Sequence, residues 1–226
     1  MAILSNLDLI RRVPLFAFLP EDQAQLIADA VTKKRFKRGE NLVEQGKNSG
    51  ALLIILSGRA RVVLTNDLGR EVILARVAQG DCIGEMSLID GEAHSATVTA
   101  EVQLDALVLG RQAFSRCLST SSLLAEAVMR SLVQRLRNAD RKIESLALLD
   151  VYGRVARALI EMADRDSQGQ LVIAEKVSRQ DIAKSIGASR EMVSRVMKEF
   201  GERDYLEEAS DGSIVIHDHL MHKGLW

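Results

Sequence analysis

Residues 121–149 have the sequence SSLLAEAVMRSLVQRLRNADRKIESLALL, which contains neither proline nor glycine. Alanine, leucine, arginine and glutamate dominate it, and such residues favour a helix because they lose little rotamer freedom there. Apolar residues recur in it at steps of three or four, which is typical of a coiled-coil seam. They are Val128, Leu132, Leu136, Ala139, Ile143 and Leu146. We therefore predict one helix, about 40 Å long, that pairs with a second copy of itself in a parallel homodimer; packing against its own domain is the alternative.

Composition argues against several classes of protein. Hydrophobic residues make up 47% of the 226-residue chain and charged residues 27%, as in globular proteins. No apolar run approaches the roughly 20 residues of a membrane span, and the N-terminus lacks the order of a signal peptide. Cys82 and Cys117 form no CxxC motif or Cys/His cluster, so we expect neither disulfides nor a metal site. We expect a cytoplasmic protein that has no cofactor and is not an enzyme, since no nucleophile–base pair is visible.

The region from Phe36 to Leu109 alternates short apolar bursts with glycines, the pattern of a β-barrel or jelly roll. The predicted strands are Asn41–Glu44, Leu52–Leu56, Ala60–Thr65, Glu71–Val77, Ala96–Ala100 and Leu104–Leu109. One segment differs, because a strand is expected to end at Gly84 and a short helical turn to begin at Glu85. Such a turn exposes unpaired N–H groups that attract anions, and Gly84 allows a ligand close to the backbone. The preceding basic run, Lys33–Arg38, is interpreted as a solvated face.

The C-terminal part of the chain predicts a helix-turn-helix. Asp150 caps a helix over residues 151–164, across an expected hinge. The sequence DRDSQGQ, residues 164–170, is then interpreted as a linker. Ser178 and Asp181 have the spacing of a capping box, and Gly187 separates their helix from a second one over Arg190–Arg203. A small β-hairpin is predicted to follow as a wing, from residues 205–206 and 213–216.

The second helix of this pair carries the side chains expected to meet DNA. The whole chain has a net charge of −1, but residues 178–198 are locally basic, and one basic face is enough to meet DNA. Arg190, Glu191, Ser194 and Arg195 lie on one side of the helix. Arginine matches guanine O6 and N7, and glutamate accepts from cytosine N4. A surface salt bridge between Glu191 and Arg195 is the alternative interpretation.

These stretches together resemble the CRP/FNR (cAMP receptor protein) superfamily of bacterial transcription regulators. The resemblance rests on GEMSLIDG at residues 84–91, LALLD at 146–150 and SRQDIAKSIGASREMVSRV at 178–196. It implies an α+β fold with three parts. These are an N-terminal β-roll (jelly-roll) cyclic-nucleotide-binding domain at residues 1–120, a long dimerisation helix at 121–149, and a C-terminal winged helix-turn-helix at 150–226.

The resemblance also implies a DNA-binding set and its partners. The matching residues are Arg190, Glu191 and Arg195 for bases, Arg179 and Gln180 for phosphates, and Asp150 for the hinge. Ser189 and Ser194 complete the set. In the cAMP receptor protein branch such base-reading residues select half-sites resembling TGTGA. We therefore expect a homodimer on palindromic double-stranded DNA, with RNA polymerase as a further partner and no contact with a membrane.

The effector is expected to differ from the usual one. Gly84 and Glu85 match the family's Gly-Glu, whose carboxylate takes a ribose hydroxyl, and Ser95 also fits. His94, however, replaces the arginine that pairs with the cyclic phosphate, and an imidazole lacks its fixed charge and fork of donors. Cyclic AMP in its usual pose is therefore doubtful.

The long helix suggests guanine in place of adenine. Ala139 and Asp140 replace the two hydroxyl residues that receive the adenine amino group. Asp140 can accept from guanine N1–H and N2–H₂, and Arg137 and Arg141 can meet O6/N7 or phosphate. A solvent-exposed pairing of Asp140 with Arg137 or Lys142 is the alternative. We expect a regulator whose effector is a cyclic nucleotide, cyclic di-GMP rather than cyclic AMP; a cyclic-nucleotide-binding module whose C-terminal domain contacts protein is the other possibility.

Overall fold

Antiparallel sheets dominate the first of two units in the computed structural model, which describes residues 5–222. The units are Met1–Leu136 and Arg137–Trp226. Before the long helix the elements are α1 (Asn6–Arg11), α2 (Glu21–Ala30), β1 (Val31–Phe36), β2 (Asn41–Val43), β3 (Ala51–Ser57), β4 (Arg59–Thr65), β5 (Glu71–Ala78), β6 (Cys82–Ile83), α3 (Glu85–Asp90), β7 (Thr97–Ala100), β8 (Leu104–Gly110) and α4 (Arg111–Thr120).

Two four-stranded sheets, in the orders β1-β8-β3-β6 and β2-β7-β4-β5, form the predicted β-roll. In β7 the buried residues Val98 and Ala100 alternate with partly buried ones, as in a strand with one face in the core. The sheets' apolar faces enclose a core that includes Phe36, Ile55 and Leu104. The fold class predicted from the sequence is confirmed for this part of the chain.

Strand β1 was not predicted, because its basic residues hide the strand pattern. Only Val31 and Phe36 at its two ends are buried, and the four residues between them are exposed. Pairing with β8 holds the strand, and Arg35 adds a two-bond ion pair to Asp105 at 2.6 and 3.0 Å. The basic run therefore does face solvent, as predicted, but it does so from an edge strand. Helix α2 ends at Ala30, where this strand begins.

The long helix α5 (Ser122–Leu148) has nearly the predicted bounds of 121–149. Its first turns pack within their own unit, because Val128 is buried and Leu132 packs partly against the same core. These two residues therefore do not belong to an open seam, contrary to the prediction. Further along, Leu136 and Ile143 are 62% and 63% exposed. The helix is thus covered by its own domain at one end and carries uncovered apolar side chains beyond it.

The second unit contains the rest of α5 and a small domain. Its further elements are α6 (Val151–Met162), β9 (Asp164–Arg165), β10 (Leu171–Ile173), α7 (Arg179–Ile186), α8 (Arg190–Glu202), β11 (Leu206–Glu208), β12 (Ile214–Ile216) and α9 (His219–His222). One sheet has the order β11-β12-β10-β9. The predicted helix-turn-helix and wing are confirmed, and the predicted linker at residues 164–170 is instead part of the β9–β10 hairpin. That hairpin ends α6 two residues earlier than predicted.

The division between the units falls inside α5, whereas the sequence boundaries at 120/121 and 149/150 follow the ends of that helix. None of the helices within residues 5–222 combines the length and apolar character that crossing a bilayer requires.

Candidate effector site and DNA-binding surface

The candidate effector site of the first unit begins at Gly84, the residue before α3. Its φ of 94° is left-handed, and a Cβ there would lie 2.5 Å from the carbonyl oxygen of Ala51. A side chain would therefore clash with backbone that cannot easily move. Glycine lets β6 turn directly into α3, and this turn buries Glu85, the first residue of the helix.

Glu85 is 4% exposed and forms an ion pair with Arg135 of α5, Nη1 to Oε1, at 2.6 Å. The second terminal nitrogen of Arg135 donates to the carbonyl oxygen of Cys82. Burial raises the pKa of the Glu85 carboxyl, and the Arg135 charge opposes that shift. Glu85 Oε2 is buried without a hydrogen-bond partner. The carboxylate is thus fixed by one oxygen and has the other available to accept from a donor.

His94 is buried and bonded to its own domain. Its Nε2 accepts from the backbone N–H of Ser49 at 3.2 Å and lies 2.8 Å from that residue's hydroxyl, while Nδ1 lies 3.0 Å from Ser87 Oγ. Because Nε2 accepts from an amide, the neutral ring carries its proton on Nδ1. Burial lowers the pKa of His94. The ring therefore joins the turn before β3 to α3 without a positive charge.

Sequence reasoning missed Arg135, Ser49 and Ser87. Arg135 is 50 residues from Glu85 in the chain, and nothing in the helix sequence distinguishes it from the other arginines nearby. Ser49 and Ser87 are common turn and helix residues whose role depends on the approach of His94. Only a three-dimensional arrangement brings these groups together.

The other predicted effector residues are exposed. Ser95 lies beside His94 in the first unit, next to β7. Arg137, Asp140 and Arg141 lie on the part of α5 that belongs to the second unit, and Arg141 donates to Asn138 Oδ1 at 2.6 Å. Asp140 is itself exposed on this helix, and its pairing with Arg137 or Lys142 stays an alternative interpretation.

In the second unit, local signals position the helix-turn-helix as the sequence predicts. Ser178 Oγ accepts from the Asp181 N–H at 3.0 Å and begins α7. Gly187 ends that helix with a left-handed φ of 65°, which a residue with a side chain adopts at a cost. Ser189 Oγ then accepts from the Met192 N–H at 3.2 Å and begins α8. The turn therefore has the short length that a helix-turn-helix needs.

A shared core fixes the angle between these helices. It contains Ile182, Ala183 and Ile186 of α7 with Val193, Val196, Met197 and Phe200 of α8. Helix α6 joins them, because Arg154 donates to the Ile186 carbonyl at 2.9 Å and the Tyr152 hydroxyl donates to Glu199. Asp150 caps α6 by accepting from the Gly153 N–H at 2.9 Å. The cap places Asp150 between α5 and α6, where the hinge was predicted.

The exposed side of α8 carries the residues predicted to contact bases, and we call it the recognition surface: Arg190, Glu191, Ser194 and Arg195. Hydrogen bonds from its own backbone N–H and from Ser189 lower the pKa of the Glu191 carboxyl, which is therefore ionised near neutral pH. The alternative Glu191–Arg195 salt bridge is absent from the described part of the chain. The surface thus presents both donors and an acceptor near the start of one helix.

The predicted phosphate contacts, Arg179 and Gln180, lie at the start of α7. Gln180 is exposed, whereas the Arg179 side chain is 24% exposed and forms an ion pair with Glu208 of β11. Backbone N–H groups at a helix start favour phosphate oxygens, so this position suits a phosphate of DNA.

Comparisons with known proteins match both the domain of the candidate effector site and the helix-turn-helix domain. The model of the cyclic nucleotide-binding domain matches residues 33–121, and that of the Crp-like helix-turn-helix domain matches residues 153–220. The cAMP-activated global transcriptional regulator Vfr of Pseudomonas aeruginosa is 30% identical over 180 residues, which cover 76% of this chain and 83% of Vfr. The CRP-like cAMP-activated global transcriptional regulator of Mycobacterium tuberculosis is 26% identical over 214 residues, which cover 93% of this chain and 95% of the relative.

A solved structure of the c-di-GMP responsive global regulator CLP of Xanthomonas campestris has the same fold. Its TM-score is 0.73 at 24% identity, and the match covers 88% of this chain and 99% of CLP. A cyclic-nucleotide-binding β-roll followed by a helix-turn-helix defines a class of DNA-binding transcription regulators, not of enzymes. This chain belongs to the CRP/FNR family of such regulators.

Proposed function

We propose that this protein binds palindromic double-stranded DNA as a homodimer, with the recognition surface of α8 in the major groove. The observation that carries the proposal is the exposure of Arg190, Glu191 and Arg195 on a helix whose opposite side is buried in the domain core. A helix in the major groove reads bases through its first turns. These three residues match those that select TGTGA in related regulators, so we propose half-sites resembling TGTGA.

The dimer is proposed from the uncovered apolar side chains of α5. Met129, Val133, Leu136 and Ile143 are each at least 49% exposed. They recur at steps of four, three and seven, so they lie along one line of the helix. Pairing this line with its copy places two recognition surfaces about a two-fold axis, and a two-fold dimer reads half-sites about one helical turn, roughly 34 Å, apart.

For the effector, we propose a cyclic nucleotide, with cyclic di-GMP preferred to cyclic AMP. The support from the first unit is His94, whose ring nitrogens both contact protein groups and supply no fixed charge for a cyclic phosphate. Glu85 Oε2 is available to accept from a ribose hydroxyl. The support from α5 is Asp140, whose carboxylate suits the donor edge of guanine, an edge that adenine lacks. The likeness in fold to the c-di-GMP responsive regulator CLP points the same way.

Cyclic AMP is the second candidate, because the relatives from Pseudomonas aeruginosa and Mycobacterium tuberculosis are both described as cAMP-activated. Calorimetric titration with cyclic AMP, cyclic GMP and cyclic di-GMP separates the candidates. Asp140→Ala should weaken cyclic di-GMP by about 1.5–3 kcal/mol, the usual value of a hydrogen bond to a charged group. Glu126→Ala removes another exposed carboxylate from the same helix and is the matched control. Tight cyclic AMP binding that ignores Asp140→Ala would reject cyclic di-GMP.

The DNA proposal is tested by fluorescence anisotropy with a labelled palindrome, with and without each nucleotide. We expect binding that falls steeply as salt rises, because Lys and Arg release counterions from the phosphates. We also expect the nucleotide to change the affinity for DNA. It will do so if it binds more tightly to one of two conformations of the protein than to the other. The other candidate function is that the C-terminal domain contacts protein, and failure to bind any duplex would favour it. RNA polymerase is the further partner that we propose for the DNA-bound dimer.

A further inference from the structure

The wing beside the helix-turn-helix differs from it in charge. Residues 204–216 contain four acidic residues and no lysine or arginine. They are Asp204, Glu207, Glu208 and Asp211. The helices α7 and α8, in contrast, carry five basic residues, namely Arg179, Lys184, Arg190, Arg195 and Lys198. A wing next to DNA ordinarily gains from positive charge, since the phosphates are the dominant attraction.

Glu208 and Arg179 are the point where these two charge patterns meet. A terminal nitrogen of Arg179, the first residue of α7, donates to Glu208 Oε1 on β11. The Arg179 side chain is 24% exposed and that of Glu208 is 45% exposed. Pairing of β11 with β12, Leu206 opposite Ile216 and Glu208 opposite Ile214, fixes the strand that carries the carboxylate. The ion pair is therefore built on two rigid elements rather than on a loop.

We propose that Glu208 sets the affinity for DNA by competing with the phosphate backbone for Arg179. The inference rests on the proposed DNA-binding function, in which Arg179 contacts a phosphate. In the free protein the carboxylate already neutralises this guanidinium. A phosphate that approaches the start of α7 must either displace Glu208 or share Arg179 with it, and sharing brings two negative groups close together. Either way, Arg179 contributes less to binding than an unpaired arginine does.

The competition has a measurable signature in the salt dependence of binding. Each phosphate neutralised adds about 0.9 to the slope of log K against log salt for duplex DNA. Glu208→Gln keeps the shape of the side chain and removes its charge. Arg179 should then act as a full cation, so that the slope steepens by up to about 0.9 per subunit. Affinity at low salt should rise about 5- to 10-fold for specific and scrambled duplexes alike, because phosphate contacts carry no sequence information.

The test is a set of anisotropy titrations of full-length protein at several salt concentrations, with a palindromic and a scrambled duplex. The variants are Glu208→Gln, Arg179→Ala and the double variant. Glu207→Gln is the matched control, since it removes the same charge from the neighbouring position of β11, whose side chain points to the other face of the sheet. We expect Glu208→Gln to strengthen binding only when Arg179 is present, and Glu207→Gln to change it less than twofold.

Three results would overturn the proposal. Weaker binding by Glu208→Gln would make Glu208 a residue that orients Arg179 for DNA. An equal gain from Glu207→Gln would reduce the effect to the general charge of the wing, and an undiminished gain in the Arg179→Ala background would exclude Arg179 as the mediator. Wild-type DNA binding that Glu208→Gln leaves unchanged is a fourth result that would overturn it. If the wild-type protein binds no duplex, the proposed function itself fails, which is a different outcome.

Discussion

The candidate effector site and the recognition surface hold their polar side chains in opposite ways. Glu85 and His94 are buried, and each is bonded to side chains of its own unit. Arg190 and Arg195 are exposed and extend from a helix whose other side is packed. Side chains that contact DNA can be exposed to solvent in the free protein, because DNA is large and charged and supplies their contacts on binding. A site for a small effector must be preorganised in the interior, so its groups need partners before the ligand arrives.

Because of this difference in burial, substitutions in the two regions should affect different quantities. Changes at the effector site remove contacts within the first unit and should lower its free energy of unfolding. Changes on the recognition surface remove groups that contact little in the free protein, so they should alter affinity for DNA and leave unfolding almost unchanged.

The largest effect is expected on the long helix α5, which has residues in both units. The double variant Leu136→Glu/Ile143→Glu buries unpaired charges in the proposed dimer, which should cost more than about 4 kcal/mol and weaken the dimer over a thousandfold. Both side chains are more than 60% exposed in the single chain, so the monomer should stay folded. Sedimentation measures the oligomeric state.

Leu148→Glu is the control for that experiment, because Leu148 is exposed on another side of α5. It should sediment like the wild-type protein. If the double variant also remains a dimer, the apolar line of α5 is not the interface.

Next in size is Arg135→Ala, which leaves Glu85 buried without its partner. We expect a loss of about 1–3 kcal/mol in the free energy of unfolding, less than for a fully buried pair because Arg135 is 40% exposed. Without that cation the pKa of Glu85 should rise further. A carboxyl whose pKa is raised in the folded state contributes stability at low pH, and this contribution is lost as the pH rises through the raised pKa. The loss of stability in Arg135→Ala should therefore become smaller as the pH is lowered into the range where carboxyl groups titrate. Urea unfolding at several pH values tests this, and a deficit that is the same at every pH would exclude Glu85 as its cause.

Arg190→Ala, unlike Arg135→Ala, should weaken DNA binding and leave the stability of the protein almost unchanged. We expect a loss of about 1–3 kcal/mol on the specific duplex with a relaxed preference at one base pair, and little change in unfolding. Arg179→Ala is the informative control, because loss of a phosphate contact should weaken all sequences alike. Competition binding with single-base variants of the duplex measures the preference. An unaltered preference in Arg190→Ala would remove Arg190 from the recognition surface.

The smallest effect concerns His94. Its pKa lies below the usual value of about 6.5, so the unfolded chain takes up the proton first. The stabilising contribution is therefore complete above about pH 6.5 and declines as pH falls through the lowered pKa, by at most about 1.4 kcal/mol per pH unit. The free energy of unfolding of His94→Asn should depend less on pH between pH 7.5 and 5.5 than that of the wild-type protein. Identical pH profiles for the two proteins would contradict the buried, neutral ring.

The helix-turn-helix was predictable because its signals are local. Ser178, Gly187 and Ser189 each act on the next few residues, and the apolar spacing of α7 and α8 is visible in the sequence. At the candidate effector site, the turn from strand to helix at Gly84 and Glu85 was predictable because its signal is local. The other bonds of this site join residues far apart, such as Arg135 with Glu85 and Ser49 with His94, and no local pattern records them.

The sequence did not predict strands that are held by pairing with a neighbouring strand and lack an alternating apolar pattern of their own. Strand β1 is basic along most of its length, and β9 contains only two residues, yet antiparallel partners hold both. Val128 and Leu132 likewise fit a coiled-coil seam by spacing alone, and only packing shows that their own unit covers them.

Selection of bound sequences from a pool of random duplexes tests the central claim most directly. The recognition surface of α8 on a two-fold dimer should enrich an inverted repeat whose half-sites resemble TGTGA and whose centres are about 10–10.5 base pairs apart. The same selection with Arg190→Ala should lose one position of each half-site. A pool in which no motif is enriched, or a motif that Arg190→Ala leaves unchanged, would contradict sequence-specific DNA binding through this helix.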